Sequence, residues 1–120
     1  MLCLHGAPKR ALIFVSAGFS LLAFASLAVD AKDPMTYEMT LKGQAFTPAE
    51  LKVPAGEPFI IKLKNENDAP AEFESREMKF EKVVAGHSEI LTRVKALPGG
   101  EFEFYDEYHE DEARGTVVSE

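Results

Sequence analysis

The 120-residue chain has one cysteine, Cys3, and it stands before Lys9-Arg10, well ahead of the end of the apolar run that follows. A lipoprotein signal needs its cysteine at the end of such a run, so lipidation is not supported. Beyond Cys3 the chain can form no disulfide and offers no thiolate to a metal. Basic residues are scarce as well, with 13 Lys plus Arg against 20 Asp plus Glu and a net charge of −7. Nucleic-acid binding draws on clusters of Lys and Arg that displace counterions from phosphates, and their absence argues against nucleic acid as a partner. There is no Gly-rich phosphate loop, and Ser75, Ser88 and Ser119 lack the setting of a nucleophile elbow, which argues against serine hydrolysis. No internal repeat or low-complexity linker interrupts the sequence. With 46% hydrophobic and 28% charged residues, the chain is neither a disordered polyelectrolyte nor a multi-span membrane protein, and its length suits one compact domain.

At the N-terminus, Lys9-Arg10 precede an almost wholly apolar run from Ala11 to Val29, with the small residues Ser26, Ala28 and Ala31 at its end. This is the pattern of a secretory signal peptide over residues 1–31. An uncleaved anchor is the alternative, since the run approaches the ~20 residues that span a bilayer, but Ser16, Gly18, Ser20 and Ser26 interrupt it. The cut is expected after Ala28 or Ala31; removal of residues 1–31 takes away Cys3, Lys9, Arg10 and Asp30 and leaves a domain over 32–120 of about 89 residues with a net charge near −8. A domain so small buries only about 60% of its unfolded surface, and it has no covalent cross-link to help.

The rest of the chain reads as all-β. Tyr37, Met39 and Leu41 alternate with Glu38, Thr40 and Lys42, the period of a half-buried strand, and Gly43 closes it. Leu51 and Val53 alternate before the turn Pro54-Ala55-Gly56; Phe59, Ile61 and Leu63 do so before the polar loop Asn65 to Pro70. Further runs lie at Lys79 to Val84, Ile90 to Val94, Glu101 to Asp106 and Thr116 to Ser119, while the helix-forming residues between Ala71 and Lys82 leave room for one helical turn there. About seven to eight short strands separated by Gly and Pro turns predict a β-sandwich or barrel.

The last twenty residues are the most informative. Between Glu101 and Glu112 stand seven carboxylates and His109, with no Lys or Arg among them. Crowding like charges is unfavourable unless something positive offsets them. If Phe102 and Phe104 face the core, Asp106 continues on the inward face where the strand ends, and an inward carboxylate needs a partner. Two readings meet here: Asp106 closes an Asx-type turn onto nearby backbone N–H groups, or Asp106 and His109 converge on a metal ion. A second acidic group, Glu72 and Glu74 flanking Phe73, shares one strand face with Cβ atoms about 7 Å apart. On its own, such a Glu-x-Glu is an ordinary solvated pair. Met35, Tyr37 and Met39 form a stripe that reads as packing, and His87 sits in the turn Ala85-Gly86-His87-Ser88 without acidic sequence neighbours close enough to help it bind metal.

The succession Phe46-Thr47-Pro48-x-x-Leu51-x-Val53-Pro54-Ala55-Gly56-x-Pro58, the strand ending in Asn65, Pro70-Ala71-Glu72-Phe73-Glu74, Phe104-Tyr105-Asp106-x-x-His109 and Gly115-Thr116-Val117-Val118 resembles a cupredoxin over essentially the whole domain. It is most similar to the small periplasmic cupredoxin-like proteins that accompany bacterial Ftr-type and Efe-type iron permeases. The resemblance implies a Greek-key β-sandwich. It departs from ordinary cupredoxins where copper would bind: no His follows Pro70, Asp106 stands where the Cys would be, His109 matches the downstream His, and no Met follows before Gly115. A type 1 blue copper centre needs a thiolate and two imidazoles, so it is not expected; carboxylates with one imidazole suit Fe(II), Fe(III), Mn(II) or Cu(II).

What the resemblance implies is a periplasmic protein that binds iron or copper through Glu72, Glu74, Asp106, Glu107 and His109. Its expected partners are an inner-membrane iron permease and other periplasmic components of the uptake system. Its expected role is delivery of the ion or, at most, assistance to ferrous oxidation, without turnover of its own. The alternatives are a copper chaperone that also uses Met35, Met39 and His87, and a metal-free module whose acidic end docks on a basic surface.

Overall fold

The computed structural model describes Gly6, Gly18 and residues 33–120, so the expected signal segment lies otherwise outside the described residues. Among the described residues nine strands follow one another: β1 (Met35–Lys42), β2 (Ala45–Thr47), β3 (Glu50–Val53), β4 (Phe59–Asn65), β5 (Ala71–Ser75), β6 (Phe80–Val84), β7 (Glu89–Val94), β8 (Gly100–Asp106) and β9 (Arg114–Ser119). They form two sheets, in the orders β2-β1-β4-β7 and β3-β9-β8-β5-β6. This is the all-β sandwich expected from the alternation, with one short strand more. β1 pairs parallel with β4, Met35 opposite Phe59 through Leu41 opposite Asn65, and β3 pairs parallel with β9; the other pairs are antiparallel.

The period-2 residues named from sequence are the ones turned inward. Met39, Leu41, Ile61 and Leu63 from the first sheet face Phe73, Val84, Phe104 and Val117 from the second, all essentially inaccessible to water. Each such side chain contributes about 1.5–3 kcal/mol by leaving water. An aromatic cluster lies among them: Phe104 meets Phe46 edge-on at 5.1 Å and Phe73 at 5.6 Å, and Phe73 meets Phe80 at 4.8 Å. Gly115 makes room for it, since a Cβ there would stand 2.2 Å from Phe104 Cζ and 2.7 Å from the Ala49 carbonyl.

The stretch Ala71 to Lys82 contains no helical turn. It is a strand, a tight turn at 76–79 and a second strand, because Ala71, Phe73 and Ser75 are all buried at alternate positions, and their packing overrides the helix preference of the Glu, Arg and Met residues around them. Ser75 ties the turn in place, its hydroxyl donating to the Glu103 carbonyl at 2.6 Å and accepting from Met78 N–H at 3.0 Å.

The loops at one end of the sandwich are fixed by two asparagines. Asn65, fully buried, donates to the carbonyls of Ala69 at 2.9 Å and Val84 at 3.3 Å and accepts from Asn67 N–H at 3.0 Å. Asn67 in turn exchanges two hydrogen bonds with the backbone of Gly43, at 2.7 and 2.8 Å. The chain between β4 and β5 is thereby held against the β1–β2 turn.

Candidate metal centre

β8 carries the two halves of the site in opposite directions. Phe104 enters the core, Tyr105 points to the outer face of its sheet, and Asp106 turns inward again at the end of the strand, 4% exposed. A single 3-10 turn follows, Glu107–His109, and Asp106 caps it.

Asp106 is the most constrained residue here. Its Oδ1 accepts from Glu72 N–H at 3.0 Å and from Tyr108 N–H at 3.1 Å, and its Oδ2 faces His109 Nδ1 at 3.2 Å. The Asx-type turn and the approach to His109 therefore coexist. Because a carboxylate only accepts, it holds the proton of His109 on Nδ1 and leaves the Nε2 lone pair for another partner. The imidazole itself is half-exposed, with 48% of its side-chain surface open.

The other three residues singled out from sequence lie elsewhere. Glu72 and Glu74 flank buried Phe73, so their side chains share the outer face of the second sheet, where β6 contributes Glu81 directly opposite Glu74. A hydrogen-bonding approach to Glu81, together with partial burial, raises the Glu72 carboxyl above its ordinary value, while the Tyr108 hydroxyl opposes the rise. Glu107 approaches Glu74 in the same way. Two carboxylates can hydrogen-bond each other only through a shared proton, and this closeness, with desolvation and repulsion from Glu74 and Glu110 added, pushes Glu107 from 4.5 up to about 7. Its Oε2 finds no hydrogen-bond donor.

The sheet thus sorts the five residues into two groups: Asp106 with His109 at the strand end, and Glu74 with Glu107 on the outer face beside Glu72. Among the described residues, no three His, Cys, Asp or Glu side chains converge closely enough to hold one metal ion. His87 is in the turn between β6 and β7, exposed and bonded through Nε2 to Asp68 at 2.5 Å. Met35 is exposed while Met39 is inside the core, so these thioethers and His87 do not form one cluster.

Sequence reasoning missed Tyr105 and Arg76. Tyr105, 3% exposed, has two guanidinium groups over its ring, Arg76 and Arg114, each 5.3 Å from the ring centre. Its hydroxyl is buried without a hydrogen-bond partner, and desolvation followed by the charges of Glu74, Glu107 and Glu110 raises its pKa against the opposing effect of Arg76. The signal was present in the alternation, since a residue between two inward ones must face outward; its enclosure comes from residues distant in sequence.

The sequence model of the cupredoxin-like domain matches residues 12–119. The chain belongs to the cupredoxin-like domain family. An uncharacterized protein of Rickettsia prowazekii (strain Madrid E) is 30% identical over 81 residues, 68% of this cupredoxin-like chain, which spans 65% of that relative's length. Two solved structures share the fold. The metal-binding domain of the Cu(I)-exporting P-type ATPase CopA of Streptococcus pneumoniae has a TM-score of 0.63 at 14% identity, over 74% of this chain and 89% of that one. Auracyanin A, a blue copper protein of Chloroflexus aurantiacus, has a TM-score of 0.62 at 18% identity, over 72% and 99%.

Proposed function

We propose that this chain is a periplasmic cupredoxin-like protein of high-affinity iron uptake. In this reading it binds iron or Cu(II) and passes the ion to an inner-membrane iron permease, or assists its oxidation there. The observation that carries the metal-binding part is the Asp106–His109 pair: a buried carboxylate, itself anchored by two backbone N–H groups, orients an imidazole whose Nε2 is free. Metal-bound histidines characteristically have their other nitrogen fixed by such a partner. Asp106 is then the residue that positions the ligand, and His109 is the ligand.

The donor set does not suit a type 1 copper. A carboxylate stands at 106 and Ala71, not an imidazole, follows Pro70, so thiolate and second imidazole are both missing. Oxygen ligands completing the shell around His109 would favour Fe(III) over Fe(II) and also accept Cu(II). The Cu(I)-bearing metal-binding domain of CopA and the blue copper protein auracyanin A support ion binding on this fold, and the motif likeness to the permease-associated proteins supports the iron reading.

The test is anaerobic titration of the purified protein with Fe(II), Fe(III), Cu(II) and Cu(I), beside His109→Ala and Asp106→Asn. The expected result is stoichiometric binding with no intense blue thiolate band, a single nitrogen coupling in the Cu(II) resonance spectrum, and loss of that coupling in His109→Ala. A wild-type protein that binds none of these ions sinks the proposal. The second reading, an acidic docking module without metal, is favoured by the absence of three convergent ligands among the described residues. It requires instead a basic partner whose association slows as salt is added and is indifferent to His109→Ala.

A further inference from the structure

The outer face of the second sheet holds an ion pair network that is short of positive charge. Arg76 sits between three carboxylates: its Nη1 is 3.3 Å and its Nη2 3.4 Å from the two oxygens of Glu110, while Glu107 at 3.8 Å and Glu74 at 3.9 Å lie beyond hydrogen-bonding distance. The other nearby guanidinium, Arg114, is also 5.3 Å from the centre of the Tyr105 ring and is engaged by Glu103 at 2.8 Å and the Glu110 carbonyl at 3.2 Å. Three carboxyl groups therefore share one cation, and only one of the three is properly bonded to it. The Arg76 side chain is also 64% exposed, so leaving its place meets little obstruction.

Beneath this network is a second, independent feature. The Tyr105 side chain is enclosed and its hydroxyl oxygen is shielded from water without any hydrogen-bond partner, within the electrostatic reach of Glu74, Arg76, Glu107 and Glu110 together. Buried polar atoms are nearly always satisfied, and one that is not calls for an explanation such as an ion. The guanidinium over the Tyr105 ring is the one that Glu110, Glu107 and Glu74 surround, and a hydroxyl oxygen together with carboxylates is a donor combination that hard cations take.

We propose that Glu74, Glu107, Glu110 and the Tyr105 hydroxyl form a site for a hard di- or trivalent cation, distinct from the Asp106–His109 pair, with the Arg76 guanidinium as its resident competitor. While Arg76 is in place, the carboxylates stand around the span of a guanidinium and not around a single point, and so they do not converge as a ligand set. When it swings outward, side-chain rotation brings the carboxylates onto a smaller ion of higher charge. Glu107 Oε2, which has no donor now, gains a partner, the proton that Glu107 shares with Glu74 leaves to solvent, and an ion of higher charge offsets more of the three carboxyl groups than the guanidinium does. Exposed ion pairs are weak, so displacing Arg76 reduces the affinity of the incoming ion by no more than about tenfold. Metal entry here is thus in competition with an internal arginine and owes nothing to His109.

The chain has no tryptophan and three tyrosines, which makes Tb(III) alone a direct probe, because its emission is sensitised by a tyrosine close to the ion. Titrating the purified protein should give saturable sensitised emission at one equivalent. Glu74→Gln and Glu107→Gln should each weaken binding at least tenfold, Arg76→Gln should tighten it about three- to tenfold, and His109→Ala and Tyr108→Phe should leave it unchanged. Tyr105→Phe should lose most of the emission while calorimetry shows weaker binding and circular dichroism shows an intact fold. The proposal is overturned by an absence of saturable emission in both wild type and Arg76→Gln. It is equally overturned by binding that is indifferent to Glu74→Gln and Glu107→Gln, which would locate the ion on the general acidic surface, or by weaker binding in Arg76→Gln. The result for iron or copper at His109 does not affect any of these outcomes.

Discussion

Replacing Asp106 separates two tasks that one side chain performs. Its Oδ1 is the acceptor for two backbone N–H groups, Glu72 at 3.0 Å and Tyr108 at 3.1 Å, in a residue only 4% exposed. Asp106→Ala strands both donors in a region partly closed to water. Hydrogen bonds to a charged group contribute about 1.5–3 kcal/mol each, and the cost is reduced here because water reaches part of the site, so a loss of about 2–4 kcal/mol is expected. For a domain of this size that corresponds to a fall of roughly 10–25 °C in Tm. Asp106→Asn keeps an oxygen for both N–H groups and should cost no more than about 1 kcal/mol. Its amide, however, donates toward His109 Nδ1, which moves the imidazole proton to Nε2 and blocks the nitrogen that the carboxylate leaves free. The assay is urea unfolding followed by tyrosine fluorescence and far-UV circular dichroism, with metal titration on the same samples. An alanine variant within about 0.5 kcal/mol of wild type, a change the smallest cost above cannot accommodate, or an asparagine variant as unstable as alanine, would refute the account of Asp106 as an anchor.

Three further outcomes are expected. Glu107 has its carboxyl raised from 4.5 to about 7 in the folded chain, which therefore binds the extra proton; its contribution to stability is complete below about pH 4.5 and is lost as pH rises through about 7. Urea midpoints should accordingly fall more steeply over that range in wild type than in Glu107→Gln, and equal slopes would contradict the shared-proton geometry. Gly115→Ala should lower stability by at least about 2 kcal/mol, because its Cβ would stand 2.2 Å from Phe104 Cζ and 2.7 Å from the Ala49 carbonyl; a midpoint unchanged from wild type would show that the cluster yields easily. Tyr105→Phe in metal-free protein should be within about 0.5 kcal/mol of wild type or more stable, since the hydroxyl it removes is buried without a partner. A larger loss would mean that the hydroxyl has a partner in solution.

Most strands were legible because one face of each is buried, so that the period-2 pattern at Tyr37-Met39-Leu41 or Phe59-Ile61-Leu63 reports the fold directly. β2 was not, being three residues long with one buried side chain, Phe46, which is too little for a period. The Glu-, Arg- and Met-containing segment after Ala71 suggested a helical turn because its residues individually favour one, while its strand character depends on Phe73 packing against Phe46, Phe80 and Phe104. At the site, the inward turn of Asp106 and its one-turn spacing to His109 followed from sequence alone. The bond from Glu72 N–H, made across 34 residues, did not, and neither did the placement of Arg76 over Tyr105. Alternation tells which face a carboxylate occupies; only the strand order tells which other carboxylates it meets there.

The position of β9 bears on how the chain reaches this structure. Although its residues are the last of the nine strands in sequence, it lies inside its sheet, between β3 and β8, and its parallel pairing joins Glu50 to Thr116. Neither neighbour can complete its ladder before residues 114–119 have emerged and docked. Contacts so distant in sequence are slow to form because the intervening loop must close first. During synthesis the earlier strands therefore present unpaired edges, and a chain cut before Arg114 would lose the element that joins β3 to the rest of the sheet. The interior of the second sheet is thus closed by the last of the described strands, β9.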